Sequence, residues 1–246
     1  MIDAPALERA CLRAWPGAHV ETPFGWVMQA TQGHSLRANA IWPLDWSGEA
    51  SLADAITYAA DWCRKHDIAP CFKLADGATF PSNLPMTLDV HGYSPTHETL
   101  VMTRTLRRSP DASAADGVLL LNGANDSIWS PLRQSAPSAE DYAERRAIVE
   151  RLAEPHVFAL MQSEGRDAAI GLGVLTGDLI GLYLMRTAPW ARRRGLAAAI
   201  VGALINWGVA RGACAAYLQV EKDNAPAVAL YERAGFTLAY RYRYWR

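Results

Sequence analysis

The segment that decides the fold is Gly181–Val201, which reads GLYLMRTAPWARRRGLAAAIV. Its first part is an apolar run typical of a buried strand, and an Arg-rich loop leads from that run into a helical pattern. The helix continues to Ala210 with Asn206 as its one polar residue. We therefore expect it to be buried on more than one side, against its own sheet and towards the first half of the chain. This order of strand, loop and helix indicates an α/β or α+β sheet with helices packed on it.

The loop and the first helical turn combine three cations with two small residues, in the order Arg192, Arg193, Arg194, Gly195, Leu196, Ala197. The N–H groups of a first helical turn have no partner within the helix, and the positive end of the helix dipole favours an anion there. Gly195 and Ala197 would let a phosphate approach the backbone closely, so the segment suits a pyrophosphate. It would equally suit a basic cap on a solvated turn, and the spacing alone leaves both interpretations open.

A second polar segment begins after the strand that ends at Glu221. Asn224 suits the N-cap of a helix and Pro226 its first turn, and Gly235 suits the position after the helix ends. Tyr231 falls on the apolar face of this helix. Its hydroxyl would therefore be either a reactive group or a core hydroxyl with a hydrogen-bond partner.

These two segments together resemble a known superfamily. The first follows Thr187-x-Pro189-x-x-Arg192-x-x-Gly195-x-Ala197, which resembles the acyl-CoA signature of the GNAT superfamily of N-acyltransferases. Ala197 stands where Gly is commoner in that family, and Thr187 stands where Val is commoner. The family's other hallmark is similar to the second segment, Asn224-x-x-Ala227-x-x-Leu230-Tyr231-x-x-x-Gly235-Phe236. The match covers roughly Ser138–Arg246.

The resemblance implies an acyl-CoA-dependent N-acyltransferase with acetyl-CoA as the donor and no metal. The acceptor would be a primary amine of a small molecule or peptide, and it would attack the thioester directly in a ternary complex. The alternative is a protein that only senses acyl-CoA, or an inactive GNAT-like module. The sequence does not identify the acceptor.

The resemblance also implies roles for particular residues. Met185, Arg186 and Thr187 would pair with the pantetheine arm through their backbone groups. The pyrophosphate would be held by Arg192, Arg193, Arg194, Gly195, Leu196 and Ala197. Asn224 would contact the acyl-CoA near its reactive end, and the Tyr231 hydroxyl would donate to the departing thiolate as a general acid.

The base that deprotonates the amine is less clearly indicated. Glu221, at the end of the strand before Asn224, is our first candidate, and Tyr183 is the second. Glu221 would equally suit a solvated strand end.

The two halves of the chain resemble one another. Ile56–Leu74 and Ala199–Val220 each combine an apolar helix that carries a Trp with a following strand, and Gly92 precedes Gly235 by 143 residues. The segment 108–117 is rich in Pro, Ser, Asp and Gly and reads as a linker. We expect two GNAT-like domains, 1–107 and 118–246, each with a mixed, mostly antiparallel central sheet flanked by helices.

The first domain is expected to lack an acyl-CoA site. Where the basic loop should be, it carries the acidic segment Asp45–Glu49, and Leu88 takes the place of Tyr231. Arg37 and Asn39 interrupt an apolar run that reads as a strand. They could reach the acceptor pocket, but they better fit ordinary outward-facing strand residues.

Composition excludes several other classes of protein. The net charge of -1 from 24 Lys+Arg and 25 Asp+Glu disfavours binding to nucleic acid or membrane by bulk charge. The four cysteines have neither disulfide-framework nor zinc-site spacing, and no secretory signal is visible, so a cytoplasmic location is expected. The alternating tail Tyr240–Tyr244 would suit RNA stacking, but it better fits a half-buried strand.

Overall fold

The computed structural model describes residues 2–107 and 117–246, so the predicted linker lies outside the described residues except for Gly117. The described residues contain eleven strands: β1 (His19–Glu21), β2 (Val27–Ala30), β3 (Ala40–Trp42), β4 (Phe72–Ala75), β5 (Pro95–Thr105), β6 (Val118–Leu121), β7 (His156–Ser163), β8 (Arg166–Thr176), β9 (Leu179–Thr187), β10 (Ala215–Glu221) and β11 (Thr237–Trp245). They form one sheet in the order β1-β2-β3-β4-β11-β5-β10-β9-β8-β7-β6. All neighbours are antiparallel except β3–β4 and β9–β10. A mixed, mostly antiparallel sheet was predicted, and it is confirmed.

Helices cover both faces of this sheet. The described residues contain α1 (Ala4–Ala14), α2 (Leu52–Lys65), α3 (Leu84–Val90), α4 (Asp126–Ser135), α5 (Ala139–Glu150), α6 (Leu196–Val209) and α7 (Ala225–Arg233). Apolar residues of α1, α4 and α5 share one core, while those of α6 and α7 form a second core on the opposite face and those of α2 and α3 form a third. No helix in the described ranges has both the length and the apolar character needed to cross a membrane.

The two halves exchange their last strands at the centre of the sheet. β5 belongs to the first half, but it lies beside β10 of the second half, with Val101 opposite Gln219. β11 belongs to the second half, but it lies beside β4 of the first half, with Tyr242 opposite Ala75. β5 and β11 also pair with each other. The chain therefore forms one continuous sheet rather than two separate sheets in contact.

Several local predictions are confirmed. Asn224 caps α7, as the sequence predicts. In the first half, Ser51 caps α2 by accepting a hydrogen bond from the N–H of Asp54 at 3.2 Å. The tail forms β11 with its tyrosines buried and Arg241 and Arg243 exposed, as expected for a half-buried strand.

The interpretation of Arg37 and Asn39 is wrong. Arg37 lies in a short 3-10 turn, Leu36–Ala38, and its guanidinium lies over the Trp15 ring instead of facing outward from a strand. Asn39 is buried, and its amide donates to the Ser35 carbonyl at 2.9 Å. The amide closes a turn locally, and for this reason the segment does not extend as a strand.

Helix α6 is buried on the side that faces its own sheet, as predicted. It packs so closely on β8 that a Cβ at Gly171 would come within 2.6 Å of Ile200. The expectation that its other side faces the first half is wrong, because its main contacts are with β7, β8 and β9. On the far side, Ala198 is exposed and Gly202 borders open space.

A buried carboxylate of the second half holds a loop of the first half. Glu144 on α5 is fully buried and accepts hydrogen bonds from the N–H groups of Gln32 (2.8 Å) and Ser35, the amide of Asn39 (2.8 Å) and the hydroxyl of Thr31. Burial alone would raise the pKa of this carboxyl, but the four hydrogen bonds outweigh burial and lower the pKa. Glu144 therefore fixes the loop that carries Arg37.

Replacing Glu144 with Gln should lower the free energy of unfolding at pH 7 by about 2–4 kcal/mol, because buried donors lose a charged acceptor. The folded-state pKa of Glu144 is lowered, so its contribution is complete above the unfolded value of about 4.3 and is lost as the pH falls through the folded value. Denaturant unfolding of both proteins between pH 7 and pH 3 should show the difference in stability narrowing with acidification.

The matched control is Glu150→Gln on the same helix, where the side chain is exposed and its pairing with Arg146 is loose at 3.9 Å. This variant should change stability by less than about 0.5 kcal/mol. Equal effects of the two substitutions would contradict the role given to Glu144.

Candidate active site

A V-shaped opening separates the ends of β9 and β10. The two strands run parallel, and their pairing stops at Leu182 and Leu218. Beyond that point β9 continues to Thr187 and β10 to Glu221. The strand ends diverge, so backbone groups in the middle of the sheet are left open to a ligand.

A β-bulge at Leu184 turns β9 away from its neighbour. Leu184 has a φ of 48°, in the left-handed region that residues other than glycine seldom adopt, and pairing with β8 is interrupted between Tyr183 and Arg186. In the described structure, the edge of Met185, Arg186 and Thr187 that faces β10 has no strand partner. The Met185 carbonyl instead accepts a hydrogen bond from the Arg186 guanidinium at 3.0 Å. An extended ligand can pair with such an edge as an added strand would.

The N-terminus of α6 is open to an anion. Gly195 is its N-cap, with a φ of 79°, and no side chain caps the helix or places an acidic group in its first turn. Within the described residues, the N–H groups of Leu196 and Ala197 have no hydrogen-bond acceptor. A bound oxyanion would satisfy these donors.

The three arginines before α6 differ in their surroundings. Arg194 pairs with Glu164 at 2.7 Å, whereas Arg192 and Arg193 are exposed and form no ion pair with any described residue. Two uncommitted cations therefore flank the open end of the helix.

Helix α7 carries Asn224 and Tyr231. The Asn224 side-chain oxygen accepts from the Ala227 N–H at 3.3 Å, so its NH₂ group is the part left for a ligand. Tyr231 is buried, and its hydroxyl makes no hydrogen bond in the described part of the chain. Burial raises the pKa of Tyr231, and the nearby Arg186 and Arg37 partly offset that effect. The hydroxyl therefore keeps its proton at neutral pH.

The two candidate bases lie in different environments. Glu221 is exposed at the end of β10 and makes no side-chain contact with another described residue. By strand alternation it shares the face of β10 that carries Tyr217 and Gln219. Tyr183 is buried, and its hydroxyl lies 2.9 Å from that of Tyr217. Burial raises the pKa of Tyr183 well above the usual tyrosine value, so Tyr183 is unsuited to accept a proton.

An aromatic chamber lies on the α1 face of the sheet, beside the opening. Trp15 stacks on Tyr183 with ring centroids 5.6 Å apart and planes 2° from parallel. The Arg37 guanidinium lies 5.9 Å from the Trp15 ring and 6.0 Å from the Tyr183 ring. Burial raises the pKa of the nearby Cys11 to about 12, so this thiol is not a nucleophile at neutral pH. Sequence patterns did not indicate this chamber, because its members come from α1, the Arg37 turn and β9.

The equivalent position in the first half is built differently. The N-terminus of α2 is already capped by Ser51, with Asp54 in its first turn, and the acidic segment Asp45–Glu49 precedes it. Leu88 is fully buried in the core below α3. Among the described residues, no group of three or more His, Cys, Asp or Glu side chains is placed to hold a metal ion.

A cavity of about 740 Å³ lies elsewhere, over the exchanged strands. In it Glu98 is paired with Lys222 at 3.1 Å, with Arg241 at 3.3 Å and with Arg243. Its charged groups are thus largely paired with one another.

A family model described as "Probable histone acetyltransferase Rv0428c C-terminal" matches residues 3–245. The chain is 30% identical to "Probable histone acetyltransferase Rv0428c" of Mycobacterium tuberculosis, with 99% of this chain and 76% of that protein covered. It is 24% identical to "Uncharacterized N-acetyltransferase YobR" of Bacillus subtilis, with 96% of each covered.

A solved structure shares the fold. The "Tandem GNAT protein from the clavulanic acid biosynthesis pathway" superposes with a TM-score of 0.59 at 16% identity, over 78% of this chain and 68% of that one. The GNAT fold expected from the resemblance is therefore confirmed.

Gly181 allows the Tyr183–Tyr217 pair to form. A Cβ at this position would lie 2.5 Å from the Tyr183 ring and 2.6 Å from the Tyr217 hydroxyl. We expect Gly181→Ala to disrupt the pair and lower the free energy of unfolding by about 1–3 kcal/mol in denaturant titrations. Gly202→Ala, in open space on α6, should instead be stabilising by about 0.5–1 kcal/mol. An unchanged stability in Gly181→Ala would contradict the tight packing.

Proposed function

The chain belongs to the family described as "Probable histone acetyltransferase Rv0428c C-terminal" and has the GNAT fold, and we propose that it transfers acetyl from acetyl-CoA to a primary amine of a small molecule or peptide. The observation that carries this proposal is the opening between β9 and β10, with an uncapped helix N-terminus following β9. Both features come from the second half, 118–246. The first half, 1–107, is proposed to bind no acyl-CoA and to supply one wall of the acceptor site.

The residues present fit an acyl-CoA. The open backbone edge of Met185, Arg186 and Thr187 suits the amide groups of a pantetheine arm. The pyrophosphate would bind the free N–H groups at the start of α6 between Arg192 and Arg193, and Asn224 would contact the arm near its reactive end. The acidic, self-capped start of α2 repels such an anion, in support of a single site.

The donor supplies an acetyl thioester, whose carbonyl carbon forms a bond to the amine nitrogen while its bond to sulfur breaks. Tyr231 gives its proton to the departing sulfur, and its raised pKa keeps that proton available at neutral pH. A backbone N–H of the bulged strand is the proposed donor to the carbonyl oxygen. Direct transfer is favoured, because the Cys11 thiol beside the chamber is protonated and cannot carry the acetyl group.

Glu221 is proposed to take the proton that the amine must lose. Its position on the Tyr217 face of β10 directs it towards the same side of the sheet as the aromatic chamber. It is preferred to Tyr183, whose buried hydroxyl resists losing its proton.

A sensor that holds acyl-CoA without transferring acetyl would share the same binding residues. The Tyr231 hydroxyl makes no hydrogen bond to a described residue and is left to donate to a ligand, which favours the enzyme. The proposed function also includes a cytoplasmic location for the protein.

Calorimetric titration of acetyl-CoA should give one site per chain. Reversing the charge in the double variant Arg192→Glu/Arg193→Glu should weaken binding at least tenfold, because the pyrophosphate would meet two carboxylates. The exposed Arg133 on α4 provides the control, and Arg133→Glu should bind normally. Two sites would overturn the assignment of the first half, and no binding would overturn the function.

Tyr231→Phe should lower kcat by about 10²-fold or more and leave the affinity for acetyl-CoA unchanged. In the unmodified enzyme, the alkaline loss of activity caused by this group should lie above the ordinary tyrosine value of 10.0, since its pKa is raised. Tyr58→Phe, at an exposed tyrosine of α2, is the matched control. Unchanged turnover in Tyr231→Phe would rule out the general-acid role.

A further inference from the structure

Arg37 brings an uncompensated positive charge into the aromatic chamber. It forms no ion pair and its guanidinium makes no hydrogen bond with any described residue. Its distances to the Trp15 and Tyr183 rings, 5.9 and 6.0 Å, are at the outer limit for a cation–π interaction. The half-buried guanidinium therefore keeps its hydrogen-bond donors for a ligand.

A second guanidinium lies near the first. Arg186 follows the β-bulge of β9, and burial together with the charges of Arg145 and Arg37 lowers its pKa. Its side-chain hydrogen bond is to the Met185 carbonyl, and it has no carboxylate partner among the described residues. Arg186 lies three residues after Tyr183 on β9, and Arg37 lies 6.0 Å from the Tyr183 ring, so the two cations border the same stretch of the strand beside the opening.

The neighbouring carboxylates are already engaged. Asp141 accepts two hydrogen bonds from Arg145, each of 2.8 Å. Glu144 is occupied by its four donors in the loop that carries Arg37. Glu8 lies 2.6 Å from Lys73 and also accepts from Tyr240. None of these groups neutralises Arg37 or Arg186.

Tyr244 contributes an unsatisfied hydroxyl to the same region. The residue is buried, and its hydroxyl makes no hydrogen bond of acceptable geometry with the described residues. Its ring packs edge-on against that of Tyr242, with centroids 5.3 Å apart, and both tyrosines lie in the same core as Trp15 and Tyr183. A buried hydroxyl and a guanidinium without partners indicate a ligand that brings hydrogen-bond acceptors with it.

We propose that the acceptor amine carries an oxyanion, a carboxylate or a phosphate, and that Arg37 binds this group while Arg186 and the Tyr244 hydroxyl assist. The guanidinium is fixed for this role, because Glu144 and the Trp15–Ser35 hydrogen bond of 2.9 Å hold its loop. A lysine-rich peptide would place further positive charges beside the unpaired guanidinium groups of Arg37 and Arg186. Such a peptide is therefore disfavoured as the acceptor. This substrate class rests on the proposed transfer of acetyl to an amine.

The test compares acceptors that differ only in the anion. Two pairs test the carboxylate: glycine is compared with glycinamide, and β-alanine with its amide. A third pair, O-phosphoethanolamine and ethanolamine, tests the phosphate. A lysine-rich peptide is the cationic arm. With the full chain and acetyl-CoA, kcat/KM for at least one anionic amine should exceed that of its neutral partner tenfold or more, and should exceed that of the peptide.

Arg37→Met, which retains bulk without charge, should lower kcat/KM for the anionic acceptor about 10- to 100-fold, mainly through KM. The neutral partner should change less than threefold, and Arg37→Lys should retain part of the preference. The control is Arg211→Met, because Arg211 also lies over a Trp ring, that of Trp207 at 4.3 Å, but is at the far end of α6. It should leave both acceptors unaffected.

Each contrary result has a distinct meaning. Equal losses for both acceptors in Arg37→Met would make Arg37 structural and overturn the proposal. Better turnover of neutral amines or of the peptide would overturn it while leaving acetyl transfer established. Binding of acetyl-CoA with no anionic amine acetylated would also overturn it. Failure of acetyl-CoA to bind would refute the proposed function itself.

Discussion

The exchange of β5 and β11 is the constraint on which the rest of the structure depends. Each of these strands forms backbone hydrogen bonds with strands of the other half, so neither half can complete its sheet alone. The exchange also puts the tyrosines of β11 on the α1 face of the sheet, in the same core as Trp15 and Tyr183. The aromatic chamber is therefore built from both halves, while the open edge and the α6 N-terminus come from one.

The two halves share a plan but differ in how their principal helix begins. At α2 a side chain and an acidic first turn satisfy the helix end. At α6 a glycine in the left-handed region leaves the donors free. A side-chain N-cap such as that of α2 stabilises a helix by on the order of 1 kcal/mol, and α6 lacks such a cap. Burial of its apolar face against β7–β9 compensates for the missing cap.

Features encoded in neighbouring residues were predictable from the sequence. The caps at Ser51 and Asn224, the apolar α6 and the alternation of β11 each depend on side chains a few residues apart. The exchange of strands was not predictable, because alternation in a strand shows which side chains are buried but not which strand is its partner. Arg37 was misinterpreted for a similar reason: its turn is held by Glu144, which lies 107 residues farther along the chain. Helices α1 and α4 were not predicted.

The central position of β11 has a consequence for biosynthesis. During translation the chain emerges from its N-terminal end, so β1 to β4 leave the ribosome long before residues 237–245 exist. Until then the edge of β4 that β11 will cover remains available to other chains, and so do the groups of β5 that β11 will bind. The sheet of the first half is thus completed only after most of the second half has been synthesised.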